Sequence, residues 1–575
     1  MGDSSDERAL ATMLAASDDA ALADLFAARR VPVPNPAHDF FDISAALLAE
    51  NAIDKALIRL PGSLLRALAD ADDAGVAASD RPALTELALV DADGRPFHVV
   101  AARFRALQSA PLPTAHGPAT EPEPSDERVT AAAGERAFSA VAALADVVVA
   151  ALSAPLGRTG SGTVSVAERR RLVDDGAVAD GDELDDLLVL GADAGLLDDG
   201  ERLWSATDDA AAWLSESTAS RWAEVARSYA ARLPSAVRTV DGGFLPPDAW
   251  PASYPLDPDW PARATALMRR GRRWGILTEN GSEPAWTTAL RRHGEPDIEA
   301  LSAHLPPEVD RVYLQADLTA ISPGPLVPAA EQRLRSMAVR ETRAQATTYR
   351  FTAESLTAAV SAGETPDTIR AFLGELSLTG IPQPLDYLIE TTASRHGLLR
   401  VSTDPASGRT VVRSADPQLL ATIAVDQALR PVGLVHDGAT LVSRASRDTV
   451  YWSLFDARYP VVAVGDDDGV QRLSRRSSRD MSTSADAAER YARLIQTLRL
   501  AHGPDADAAW LERELEQAVR GRTLIEVDVR LPDASTRTFI LEATGIGGGR
   551  LRGLDRAADV ERTLPLKSIA GVRRA

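Results

Sequence analysis

Between Ala110 and Arg128 the chain reads APLPTAHGPATEPEPSDER, a run rich in proline and acid with almost no apolar side chain to bury. Proline fixes φ and removes a backbone donor, and a stretch this polar has nothing to hold it in a core, so it predicts a linker. Folded units must therefore form separately on either side of it. Length points the same way. Single cores rarely grow past roughly 250–300 residues, and the chain has 575. Apolar and charged fractions of 45% and 25% are those of a folded protein, while an aromatic content of 5% leaves Leu, Val, Ile and Ala to build the cores.

Several chemistries are excluded at once. The chain has no cysteine, which removes disulfides, thiol nucleophiles and cysteine-containing zinc sites. Only Lys55 and Lys567 are lysines, in AIDKALIRL and LPLKSIAG. A P-loop needs a lysine behind its glycines to reach the β- and γ-phosphates, and neither context provides one. The Gly-rich stretch 157–163 lacks lysine and reads as a loop. No HExxH, GxSxG or histidine pair is present. The expectation is a protein that is not an enzyme and needs no cofactor or metal. MGDSSDERAL carries no signal-peptide pattern. The most apolar run, Ala140 to Leu152, is interrupted by Asp146 and too short to span a bilayer, so it reads as a buried helix. A cytoplasmic protein without a membrane partner is expected. The net charge of −21 repels nucleic acid, so any DNA contact requires a local basic patch.

Pattern divides the chain further, into a multidomain α+β protein whose N-terminal half is mostly helical. Residues 1–110 carry helical apolar spacings (Leu22, Leu25, Phe26; then Leu57, Leu60, Leu64, Leu65, Leu68), broken by VPVPNP. After the linker, 111–135, residues 136–235 read as three helices and a hairpin. Leu184, Leu187, Leu188, Ala194 and Leu196 are their apolar positions. Gly195 marks a helix end, Arg202–Ser205 a wing strand, and Thr207 or Asp208 a cap before a helix carrying Trp213. This segment resembles a winged-helix module. Residues 182–200, however, hold seven acids and no base, which favours packing against protein over reading DNA. A connector, 236–305, holds Trp250, Trp260, Trp274 and Trp286. Its Arg269, Arg270, Arg272 and Arg273 are candidates for nucleic-acid contact beside Trp274, or simply a charged helix end.

From Arg311 the chain predicts a strand, a turn at Ser322–Pro325 and a helix over Ala329–Met337. A helix capped by Thr352 and ending at Gly363 follows, then one from Pro366 to Leu376. The last helix runs from Pro384 to Gly397, ahead of strands at Leu398–Ser402 and Thr410–Arg413. The stretches LQADLT, ATTYRFTAESL, PQPLDYLIE and RHGLLRV, with the Pro-Gly-Pro turn, resemble the N-terminal domain of XPB-type DNA helicases, found in bacterial helicase-associated proteins. The resemblance covers roughly 306–430. It implies a role beside a DNA helicase or on DNA, in repair or related transactions. Here five arginines, Arg333, Arg335, Arg340, Arg343 and Arg350, face two glutamates, Glu331 and Glu341. This best basic patch of the chain reads either as a phosphate contact or as a solvated helix face. His396 reads as a helix-end residue.

Residues 431–485 read as a linker helix, SRASRDTVYWSLFDARYPVVAV, and a charged loop. Residues 486–575 read as helices Ala487–Leu500 and Ala508–Arg520 before LIEVDVRL, RTFILEATGI, RLRGLD and ERTLPLKSIAGV. That module resembles a degenerate WYL domain, which makes Arg550, Arg552 and Arg562 candidates for an anionic ligand. Two functions remain open. One is a non-enzymatic accessory protein that binds DNA, a partner helicase or both; the other is a WYL-type transcriptional regulator with winged-helix DNA binding.

Overall fold

The structure, a computed structural model, describes residues 4–574 apart from 73, 109–120, 343–345, 362–363, 396–398, 406, 415, 458, 460, 465–486, 503–505, 532–534 and 557. The expectations placed on Arg343, Gly363, His396, Gly397 and the charged loop 465–480 lie outside the described residues, as do residues 111–120 of the expected linker 111–135, whose residues 127–135 are instead the start of a helix. Helices and four sheets gather into five hydrophobic cores in a multidomain α+β arrangement.

The first core is helical, with seven helices from Ser4–Ala16 to His98–Leu107. Asp18 and Asp39 cap two of them by accepting the backbone N–H three residues on, which satisfies a donor that the first helical turn leaves orphaned. These helices do not close the core alone. The helix Ala487–Ala501 returns from the far end of the chain and inserts Tyr491, Leu494, Ile495 and Leu498 among them. Its Tyr491 hydroxyl donates to the Val31 carbonyl at 2.9 Å, and the ring meets Phe26 edge-on. Arg499 donates to the Ala15 carbonyl and Asp19. A boundary at 486 groups this helix with the C-terminal sheet, whereas its apolar face packs in the N-terminal core. An amphipathic period says that a face is buried without saying against what.

The second core is built around the 27-residue helix Glu127–Ser153. It is long and apolar enough to cross a membrane, but over half of its most apolar window is buried within the protein. Helices Val166–Asp174, Gly181–Asp193 and Thr218–Arg232 pack with a three-stranded antiparallel sheet in the order Leu156–Gly157, Leu203–Ala206, Leu197–Asp199. Gly195 adopts a left-handed φ of 72° that ends the helix, as only glycine does without strain. Neither Thr207 nor Asp208 caps the next helix through its side chain. Thr207 donates instead to the Gly195 carbonyl at 2.6 Å. The connector 236–305 belongs to this same core. Its tryptophans are buried and each indole N–H finds a carbonyl, as a buried donor must. Trp222 and Trp274 donate to each other's backbone, at 2.6 and 3.0 Å. Trp274 is therefore sealed inside and cannot stack on nucleic acid, contrary to the reading that placed it beside an arginine patch.

The region 306–430 divides between two cores. The sheet Tyr313–Leu314, Thr319–Ser322, Thr347–Arg350, Val339–Thr342 packs with helices Pro328–Arg335, Ala353–Ser361, Pro366–Leu376 and Gln383–Arg395. Thr352 caps the second of these, and Thr365 and Thr368 form a reciprocal capping box before Pro366. Strands Leu399–Thr403 and Thr410–Ser414 do not close that unit. They join Thr440–Ser443, Val435–Asp437 and the parallel strand Val461–Ala463 in a five-stranded sheet. The helix Arg447–Asp456 packs on it with Val450, Tyr451 and Leu454, so the expected linker helix is core. Finally Ala506–Gly521 covers an antiparallel sheet in the order Val560–Pro565, Arg550–Asp555, Thr536–Gly547, Leu524–Arg530, Ile569–Arg574.

The returning helix yields a test. Leu498→Ala is expected to lower stability by about 2–5 kcal/mol, as large-to-small core changes do. In hydrogen exchange the loss of protection should fall on Ser4–Leu107 and leave the sheet 524–574 unchanged; loss in that sheet alone would contradict the packing.

Candidate nucleic-acid interface

The arginines singled out in sequence are mostly turned onto acids of the same chain. In the helix Trp260–Arg273, Arg269 grips Asp186 with two bonds, from Nε at 2.9 Å and Nη2 at 2.7 Å. Arg273 reaches the same carboxylate through Nε at 3.1 Å and lies 3.5 Å from Glu183. Asp186 is only 2% exposed. A carboxylate this deep is tolerated because charged donors surround it. Its hydrogen bond, first of all, holds the Arg269 guanidinium above its usual pKa. Arg272 faces Glu279 at 3.6 Å. Burial raises the Asp193 carboxyl, and Arg270 opposes that rise. The acids that argued against DNA reading and the arginines that argued for it are thus partners across one interface.

The same holds in the region 331–350. Asp146, the residue that interrupts the apolar run of the long helix, is 2% exposed and receives both Arg335, at 2.8 Å, and Arg340. Glu331 lies 3.6 Å from Arg340. Burial by itself would lower Arg340, but the charge and hydrogen bond of Asp146 outweigh it and leave the guanidinium above its usual value. Next to this cluster Arg221 is buried over the Trp213 ring, and desolvation lowers its pKa. Glu308 accepts from the Thr218 N–H and hydroxyl, both at 2.9 Å. These contacts join the third core to the second. Arg333 makes a two-bond pair with Glu364 at 3.0 Å and lies over Phe372 at 4.5 Å. Arg350 pairs with Glu341 and donates to the Asp317 carbonyl at 3.2 Å. Arg343, the fifth member of the patch, lies outside the described residues.

The C-terminal candidates are split by the pleat. Arg550 and Arg552 are exposed and alternate with buried Leu551 along their strand. Arg562 is opposite Gly553, so it projects from the other face. There it bonds Asp555 at 2.8 Å and lies over Phe539 at 5.0 Å. The three do not converge on one site. Among the described residues no group of three or more His, Asp or Glu is placed to hold a metal ion.

With this geometry in view, residues 312–437 match the family described as helicase conserved C-terminal domain. The matched segment takes in the third core and most of the strands of the fourth. It supports a helicase-associated region in the middle of the chain. No curated protein matches the chain.

Sequence reasoning missed the roles of Asp146 and Asp186. The signal was present, since an acid inside an apolar helix stripe requires a counter-charge. The partners, however, lie far away in sequence. Asp146→Ala is expected to cost about 3–5 kcal/mol, the penalty for stripping one partner from a buried charge cluster. Arg350→Ala, which breaks a solvent-exposed pair, should cost far less. Urea unfolding of the two variants checks this, and equal losses would contradict the buried-cluster account.

Proposed function

We propose that the chain is a non-enzymatic, helicase-associated accessory protein in DNA repair or related DNA transactions, working beside a partner helicase. The observation that carries this is the pairing of a helicase-family match over 312–437 with a chain whose two lysines stand in no P-loop context. The order LQADLT, ATTYRFTAESL, PQPLDYLIE supports the finer reading as a domain of the XPB type. A cytoplasmic setting fits such a partner.

The partner is engaged through protein contact more than through phosphate. Supporting this, Arg333, Arg335, Arg340 and Arg350 are committed to Glu364, Asp146 and Glu341. Tyr387, in the stretch PQPLDYLIE, is 72% exposed, and Tyr313, just ahead of LQADLT, is exposed as well. Exposed Leu378 is tied beside Tyr313 by its N–H to the Val312 carbonyl. Exposed aromatics are favoured anchors in protein interfaces. The regulator reading gains no such support. In the helix Gly181–Asp193 of its winged-helix segment, Glu183 and Asp186 face Arg269 and Arg273.

Tagged full-length chain, recovered from its own cells, is expected to bring down a helicase ATPase and to hydrolyse no ATP by itself. Tyr387→Glu with Leu378→Glu should reduce that recovery at least tenfold at unchanged Tm. ATP turnover above background by the purified chain, or recovery unaffected by the double variant, would overturn the reading.

A further inference from the structure

Among the described residues a basic cluster in the N-terminal helical core has no carboxylate paired with it. The helix Asp19–Ala28 ends at Arg29, followed by Arg30 in a left-handed φ of 51°. The Arg29 guanidinium turns inward and donates to three carbonyls: Leu87 at 2.7 Å, Leu47 at 2.6 Å and Ala52 at 3.3 Å. These bonds satisfy its donors but bring no negative charge. Burial lowers it to about 10, and no carboxylate contributes to its shift.

Beside it, Lys55 lies in the last turn of Glu50–Leu57 and Arg59 in the turn that follows that helix, both exposed. Arg29, Lys55 and Arg59 line a cavity of about 110 Å³, floored by Ala28, Ala56, Leu60 and Leu87. Arg59 is lowered by burial and then by repulsion from Arg30 and Arg263. The one acid acting on it, Asp257, is already the partner of Arg263. Three cations and no acid line this one small cavity, a setting that favours an anionic occupant. An apolar floor strengthens any such attraction by excluding water.

We propose that this cavity binds a tetrahedral oxyanion, a phosphate group, with Lys55 and Arg59 as its direct ligands and Arg29 as the fixed charge behind them. The volume fits one phosphate and the open rim admits a group carried on a larger molecule. The source is either free phosphate or the phosphate at the end of a nucleic-acid strand. The inference does not depend on the helicase-associated reading.

Calorimetric titration of the full chain tests it, at constant ionic strength set by chloride. Inorganic phosphate should bind saturably at one site and raise Tm. Lys55→Ala with Arg59→Ala, both exposed and so expected to fold normally by circular dichroism, should weaken binding at least tenfold. Arg105→Ala, elsewhere on the same helical core, should leave it unchanged. A 5′-phosphorylated oligonucleotide that binds more tightly than its 5′-hydroxyl counterpart, with the gain lost in the double variant, assigns the source to a strand end. Equal binding of the two oligonucleotides, with phosphate still bound, assigns it to free phosphate. Absence of saturable phosphate binding, or equal affinity in the double variant, overturns the proposal.

Discussion

A single buried carboxylate, that of Asp146, constrains how much of this molecule can be arranged. It stands in the middle of the longest helix, whose neighbouring positions are apolar and fully enclosed. An unpaired charge there would cost several kcal/mol, so the fold must deliver cations to it. Arg335 and Arg340 arrive from the helicase-like region nearly two hundred residues later. That requirement joins the third core to the second and commits Arg335 and Arg340 to an internal charge. Arg333 and Arg350 are likewise paired, with Glu364 and Glu341.

Asp186 repeats the device. Its partners, Arg269 and Arg273, come from the connector and bind that connector into the same core as the segment 136–235. In the sequence the acidic helix and the basic helix looked like unrelated local features, one hostile to DNA and the other inviting it. Charge complementarity across 83 residues is invisible to any local window. The two buried acids were legible only as exceptions to their surroundings. Their meaning waits on the tertiary partner.

Local signals fared better. Pro366, Thr352, Gly195 and the runs LIEVDVRL, RTFILEATGI and RLRGLD place helices and strands to within a residue or two of where they lie, whereas ERTLPLKSIAGV divides into two strands. What those signals could not give was allegiance. The helix Ala487–Ala501 is amphipathic wherever it docks, and its docking on the N-terminal helices rests on Tyr491 and Arg499 meeting Val31 and Asp19. The strands 399–403 and 410–414 alternate correctly whichever sheet they join, and they join the later one. For the candidate site, residue types were visible and their commitments were not. The cavity at Arg29, Lys55 and Arg59 leaves no local sequence signal, because its members come from separate helix ends.

The central claim is that the arginines of the helicase-like region serve the fold and its protein contacts. The salt dependence of duplex DNA binding by the full chain tests this most directly. Each phosphate contact contributes about −0.9 to the slope of log K against log salt. The account predicts weak binding and a slope no steeper than that of about one contact, unchanged by Arg333→Ala. A slope equivalent to about four or more contacts, reduced by that substitution, would contradict it.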